Sequence, residues 1–221
     1  MEFIFMLTHQ DRTVDQAMDV LEQVSLTGLT HVGFKDVGAT PQQQQALAQA
    51  AHEAGMTVYL EVVSTSVEAE LDSVRAGLAA GVDWILGGTN PDQALGILRD
   101  STVKYAPFPG RIIGHPSVLE GTINQIAADA ARLTAMDGIA GVDLLAYRHH
   151  GVDPLELTRA VVASSSGPVI AAGSVVTEGQ VIGLAKAGAA AFTIGGAIFD
   201  GQVPGATIAE KVTVALNWAR A

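Results

Sequence analysis

Eight short apolar runs, each followed by sequence of helical character, constrain this chain of 221 residues more than any other feature. The runs are Phe3–Leu7, His31–Lys35, Thr57–Val62, Trp84–Leu86, Arg111–Ile113, Val142–Ala146, Pro168–Ala171 and Ala191–Ile194. Their ends recur at about the length of one βα unit. Several are almost wholly apolar, as a strand buried on both faces of a parallel sheet requires. The helices between them carry start signals: Thr40-Pro41 before Gln42–Ala54, Asn90-Pro91, Thr122 before Ile123–Met136, Asp153-Pro154 before Leu155–Ala163, and Thr177 before Glu178–Ala187. Thr65 opens Ser66–Ala80, with Glu68 completing a capping-box pattern, and Ile208–Ala221 forms the last helix. The endings Glu53-Ala54-Gly55, Ala79-Ala80-Gly81 and Lys186-Ala187-Gly188 each stop a helix just before a new strand. Eight such units without a linker predict one domain, residues 1–221, folded as an α/β (β/α)8 TIM barrel. A doubly wound open sheet is the alternative. A dinucleotide fold would show a glycine fingerprint after its first strand, where this chain has Thr8-His9-Gln10-Asp11, so no nucleotide cofactor is expected.

Composition narrows the function classes. Hydrophobic residues make up 48% and charged residues 16%, enough apolar side chain for a substantial core. The apolar stretches are strand-length, and no basic segment precedes the first of them, so neither a membrane partner nor a secretory leader is expected. With no cysteine, disulfides, thiolate metal sites and a cysteine nucleophile are excluded, and a cytoplasmic location is the expectation. A net charge of −11 argues against nucleic acid as a partner.

In a TIM barrel the C-terminal strand ends build the active face. There the chain presents His9 and Asp11 after the first strand, Lys35 and Asp36 after the second, and Glu61 and Ser64 after the third. His115 and Ser117 follow the fifth run, and Tyr147, Arg148, His149 and His150 follow the sixth. Alternation in His31-Val32-Gly33-Phe34-Lys35 turns Gly33 and Lys35 inward, and in Val58-Tyr59-Leu60-Glu61-Val62 it turns Tyr59 and Glu61 inward. Lys35 and Glu61 then stand on neighbouring strands at similar height and form a candidate acid–base pair, with His115 as a third catalytic candidate. A structural ion pair is the alternative for the pair, and a loop hydrogen bond for His115. Asp36, His9 and Arg148 are candidate substrate-binding residues; Asp36 equally suits a loop brace, and Arg148 an exposed salt bridge. Adjacent His149 and His150 point to opposite faces of an extended segment, so no metal site is expected from them. His31, at the far end of its strand, and His52, within a helix, read as structural.

Two glycine turns close the list, Gly173-Ser174 after Pro168–Ala171 and Gly195-Gly196 after Ala191–Ile194. They follow the seventh and eighth strands, where a TIM barrel frequently binds phosphate through backbone N–H groups. Ordinary turn chemistry explains one such turn; two in succession make Gly173, Ser174, Gly195 and Gly196 candidate phosphate-binding residues.

On the residues Pro168–Val175, Lys186-Ala187-Gly188-Ala189 and Ala191–Ile198, the chain resembles the ribulose-phosphate-binding barrel superfamily, in particular the phosphate-binding quarter of the N-acylmannosamine-6-phosphate 2-epimerases. The resemblance implies a (β/α)8 barrel, a phosphorylated ligand and often a homodimer. Phe34-Lys35-Asp36 is similar to the lysine-bearing second strand of those epimerases. Elsewhere the chain departs. Glu61-Val62-Val63-Ser64 stands where the hexulose-phosphate synthases and ketogulonate-phosphate decarboxylases carry Asp-x-Lys-x-x-Asp, and Gly33-Phe34-Lys35-Asp36 does not reproduce the ligands of the metal-dependent ribulose-phosphate epimerases.

Three functions fit this pattern. The first is an isomerase or epimerase that abstracts a proton beside the carbonyl of a small phosphorylated sugar. The second is an aldolase or lyase forming a Schiff base on Lys35. The third is a non-catalytic phosphometabolite-binding regulator, similar to the glycerol-uptake antiterminators.

Overall fold

The structure is a computed structural model that describes residues 1–220; Ala221, expected at the end of the last helix, lies outside the described residues. In chain order its strands are β1 (Glu2–Met6), β2 (Thr8–His9), β3 (Arg12–Thr13), β4 (His31–Lys35), β5 (Thr57–Val62), β6 (Trp84–Gly87), β7 (Lys104–Ala106), β8 (Arg111–Ile113), β9 (Val118–Glu120), β10 (Val142–Leu144), β11 (Val169–Ala171) and β12 (Ala191–Ile194). The helices are α1 (Ala17–Val24), α2 (Pro41–Glu53), α3 (Val67–Ala80), α4 (Pro91–Leu98), α5 (Ile123–Thr134), α6 (Pro154–Ser164), α7 (Glu178–Ala187), α8 (Gly196–Phe199) and α9 (Ile208–Arg220).

Eight parallel strands pair in the order β10-β11-β12-β1-β4-β5-β6-β7. The two ends of this sheet meet at one seam. Tyr105 of β7 bridges Ile139, the Ala140 amide donates to the Tyr105 carbonyl at 2.8 Å, and the Asp143 amide donates to the Pro107 carbonyl at 3.0 Å. The barrel therefore closes as expected, through a seam thinner than its other ladders.

Capping confirms most of the expected helix starts. Thr40, Thr122 and Thr177 each accept from the backbone three residues on, and Gln43, Gln125 and Gln180 return the bond to complete capping boxes. Gly81 and Gly188 end α3 and α7 in the left-handed conformation. One start differs: Ser66, not Thr65, caps α3, accepting from the Ala69 amide.

The fifth strand is the main correction. Arg111–Ile113 is not a barrel stave; it pairs antiparallel with β9 in a hairpin over the barrel mouth, and the fifth stave is Lys104–Ala106. His115 and Ser117 thus lie in the hairpin turn and not at the end of a barrel strand.

The interior side chains form layers. Ile4, Met6, Tyr59, Leu86, Ala106, Ile170 and Ala191 fill the lower barrel. Tyr59 stacks on Trp84 at 5.9 Å between ring centroids, and the Lys104 ammonium lies 5.1 Å from the Trp84 ring, closing the N-terminal end. Phe3, Phe5, Val32, Phe34, Leu60 and Ile85 face outward and pack under the helices. Apolar packing thus occupies the base and the wall, and polar side chains are left for the top. Among the described residues no helix is long and apolar enough to cross a membrane.

Candidate functional site

Lys35 and Glu61 are register partners on β4 and β5, and both are 3% exposed. The Lys35 ammonium lies 3.2 Å from Glu61 Oε2 and donates a short hydrogen bond to Asp11 Oδ1. Thr13 fixes the lysine's backbone from both sides, accepting from its amide and donating to its carbonyl at 2.8 Å each.

Asp11 is the hub of the site; the sequence places it at the active face but gives it no role. Gln10 and Asp11 form the two-residue loop of the β2–β3 hairpin, with φ of 49° and 61°. Both central residues of such a loop take positive φ, and Asp tolerates that conformation better than most residues. The turn aims a 1% exposed carboxylate into the barrel mouth. Besides Lys35, it accepts from Arg148 Nη2 at 2.9 Å and from the Ser117 amide at 3.1 Å. Burial alone would raise the Asp11 carboxyl, but the charges and hydrogen bonds of Lys35 and Arg148 hold it well below the usual carboxylate range.

Arg148 follows β10 on a 3-10 turn, Ala146–Arg148. It donates to the Ser117 carbonyl at 3.2 Å as well as to Asp11, and so ties the β8–β9 hairpin to the site. Burial disfavours the guanidinium charge, but the bond to Asp11 and the nearby carboxylates outweigh this and raise its pKa. The same side chain crosses Gly173: a Cβ there would sit 2.3 Å from Arg148 Nε, so glycine is required by close approach as well as by its φ of 74°.

These groups line a cavity of about 620 Å³. Its wall includes Gly173, Ser174, Gly195 and Gly196, so both glycine turns open into the space above Lys35 and Glu61. No hydrogen bond among the described residues takes up the amides of Gly173, Ser174, Gly195 or Gly196. At Gly195 a Cβ would lie 2.5 Å from Thr8 Oγ1, so the turn packs directly on the first strand's end.

The remaining sequence candidates lie at or beyond the rim. His115 is about one-third exposed, with Nδ1 4.0 Å from Asp11 Oδ2. His9 pairs with Asp200 at 2.8 Å and leans on Phe199 of α8. The Asp36 carboxylate accepts from the Val63 amide, the Ser64 amide and the Ser73 hydroxyl, bracing the loop after β5. His149 is held by its own loop, with Nδ1 accepting from the Gly151 amide at 3.0 Å and Nε2 donating to the Gly121 carbonyl at 2.7 Å. His150 faces the cavity. His31 contacts the Tyr59 hydroxyl and Glu2, and His52 pairs with Asp83, both away from the mouth. Among the described residues, no group of three His, Asp or Glu side chains is placed to hold a metal ion.

One more buried acid escaped the sequence reading. Asp143, in the middle of β10, is 0% exposed. A lone aspartate inside an apolar run was the available signal.

No family model matches the chain, and no curated protein matches it in sequence. Its fold is similar to that of orotidine 5'-phosphate decarboxylase from Pyrococcus horikoshii OT3, with a TM-score of 0.71 over 99% of both chains at 14% identity. It is also similar to thiamine phosphate pyrophosphorylase from Pyrococcus furiosus, with a TM-score of 0.64 over 99% of this chain and 95% of that one at 16% identity. A third similar structure is (S)-3-O-geranylgeranylglyceryl phosphate synthase from Thermoplasma acidophilum in complex with its substrate sn-glycerol-1-phosphate. Its TM-score is 0.62 over 99% of this chain and 92% of that one, at 13% identity. At such identities the likeness is one of fold, and it agrees with the (β/α)8 barrel expected from the strand–helix alternation.

Proposed function

We propose that this protein is an enzyme acting on a small phosphorylated metabolite, and that it moves a proton on a carbon next to a carbonyl. One observation carries the reading: a single cavity joins the buried Lys35–Glu61 pair to the two glycine turns. The phosphate would be held by the amides of Gly173, Ser174, Gly195 and Gly196, with Arg148 beside Gly173 adding a charge-assisted donor. The similar solved structures include enzymes named for phosphorylated compounds, which supports a ligand of this class.

In the reaction, a Glu61 carboxylate oxygen takes the proton from the carbon. The C–H electron pair becomes the C=C bond of an enediolate, and the carbonyl π pair moves to oxygen. The Lys35 ammonium stabilises that oxyanion while Asp11 keeps the lysine in place. Return of the proton to the neighbouring carbon, as the hydroxyl proton passes to the former carbonyl oxygen, isomerises the substrate; protonation from the opposite face by a second acid, for which His115 is the candidate, epimerises it. A Schiff base on Lys35 is less well served, because its nitrogen keeps at most one N–H, so one of the two carboxylate partners loses its bond.

Inorganic phosphate and a panel of sugar phosphates, screened by thermal shift, test the binding step. A ligand present at 100 times its Kd adds about 2.7 kcal/mol of stability. Gly196→Asp is the control of choice. A Cβ at that position meets nothing closer than 3.8 Å, so the variant folds while its carboxylate repels a phosphate. The stabilising compound should then exchange a carbon-bound hydrogen with heavy water, at least ~100-fold more slowly in Glu61→Gln. Stabilisation without exchange would favour the regulator instead. No stabilisation by any phosphorylated compound would overturn the reading.

A further inference from the structure

Val142 and Leu144 pack outward with Ile126 and Leu133 of α5 and Leu157 of α6. Alternation therefore turns Asp143 into the barrel. No part of the residue is exposed, and among the described residues neither of its carboxyl oxygens has a hydrogen-bond partner. Buried polar groups without partners are few in folded proteins, and each requires a reason. The charged groups that act on it are Glu61 of β5, Lys35 of β4, Arg148 after β10 and Asp11 of the β2–β3 turn. Lys35 and Arg148 supply two positive charges, and both already bond to other groups: Lys35 to Asp11 and Glu61, Arg148 to Asp11 and the Ser117 carbonyl. Asp11 and Glu61 supply two negative charges. The cluster is balanced without Asp143, and a third carboxylate there would be a buried charge with no partner of its own.

We propose that Asp143 is an uncharged carboxylic acid near neutral pH and that it is a positioning residue for the Lys35–Glu61 pair. Neutral, it leaves Lys35 to Glu61 and Asp11. Ionised, it would compete for Lys35 and repel Glu61 from the pair. Burial, and then the Glu61 charge, push its carboxyl well above the ordinary range, against the pull of Lys35 and Arg148. The part played by this acid in catalysis rests on the function proposed above. Its charge state can be read without any substrate, so the two ideas fail separately.

The decisive experiment is carbon-13 NMR of the whole chain labelled at its Asp and Glu carboxyl carbons, titrated in the wild type and in Asp143→Asn. One aspartate carbon should keep the protonated position through neutral pH and be missing from the variant. The Glu61 carbon should report the ionisation of Asp143 as a step in its chemical shift, and that step should be absent in the variant. Stability gives an independent reading. A carboxyl raised in the folded state makes the wild type lose stability as pH rises from the unfolded value of about 3.9 towards the folded one. The melting temperature of Asp143→Asn should therefore gain on the wild type by roughly 3–5 °C per pH unit over that range. All aspartate carbons at the ionised position in mild acid, or a gap that stays flat or shrinks as pH rises, would overturn the uncharged assignment. A Glu61 carbon whose chemical shift follows the same course with pH in both proteins would overturn the positioning role. If the variant does not fold, the wild-type spectra alone decide the charge state.

Discussion

Asp11 accepts three hydrogen bonds on two oxygens, and its burial makes each of them matter. Because Lys35 and Arg148 depress its carboxyl in the folded state, its contribution to stability is complete above the unfolded value of about 3.9 and is lost as pH falls through the lower folded value. Asp11→Asn leaves two buried cations short of a partner and should cost about 3–5 kcal/mol near neutral pH. Urea denaturation across a pH series should show that cost shrinking in strong acid. The wider site was legible only in part. Lys35 and Glu61 could be read because strand alternation is a local rule and their strands are neighbours in sequence. Asp143 obeys the same rule and was there to be read; an acid between Val142 and Leu144 on a strand must face the other side. Asp11 could be placed at the active face, but its part there was not readable. Its role depends on the Gln10-Asp11 turn folding back over the mouth and on a partner 137 residues away, Arg148.

Among the elements, the β8–β9 hairpin departs most from the regular alternation. Arg111-Ile112-Ile113 is the more convincing strand by hydrophobicity, whereas Lys104-Tyr105-Ala106, of the same length, runs into Pro107-Phe108-Pro109-Gly110. The choice between them was tertiary: Tyr105 and Ala106 are buried as register partners of Ile85 and Leu86, while Ile112 and Ile113 are only half-buried. The hairpin is latched to the site through Ser117, which donates to Asp11 and accepts from Arg148. Arg148→Lys keeps the charge but loses the planar fork that reaches both partners. In that variant the Ser117 amide should exchange with heavy water at least ~10-fold faster, while amides in β4 and β5 keep their protection. A second element depends on one acid. Glu70 of α3 is 1% exposed and accepts from the Thr89 and Asn90 amides at 3.0 and 2.8 Å, holding the chain as it enters α4. Glu70→Ala should destabilise the protein by about 2–4 kcal/mol in chemical denaturation. The Asn90-Pro91 signal correctly marks that helix start, yet Asn90 makes no side-chain cap of its own; its side chain bonds to Glu70 instead.

For the whole molecule, the eightfold repeat was the most legible property, because each βα unit announces itself with an apolar run, a cap and a closing glycine. How the circle closes was not legible, since no local pattern states which strands meet. The seam between β7 and β10 rests on few backbone bonds, with the Ala140 amide among them. Ala140→Pro removes that donor and should cost about 1–3 kcal/mol. Native-state hydrogen exchange of the variant should show the loss first at the seam, in the Asp143 amide, before the β1–β4–β5 side of the barrel opens. The Asp143 amide is itself one of the stitches, and the carboxyl of the same residue lies sealed just inside. Hydrogen on that carboxyl therefore trades places with water only when the packing around it opens, at the seam or towards the cavity. The interior acid then lives on the clock of a local opening and not on the microsecond traffic of surface groups, so a deuterium placed there would linger as a memory of the solvent in which the protein last breathed.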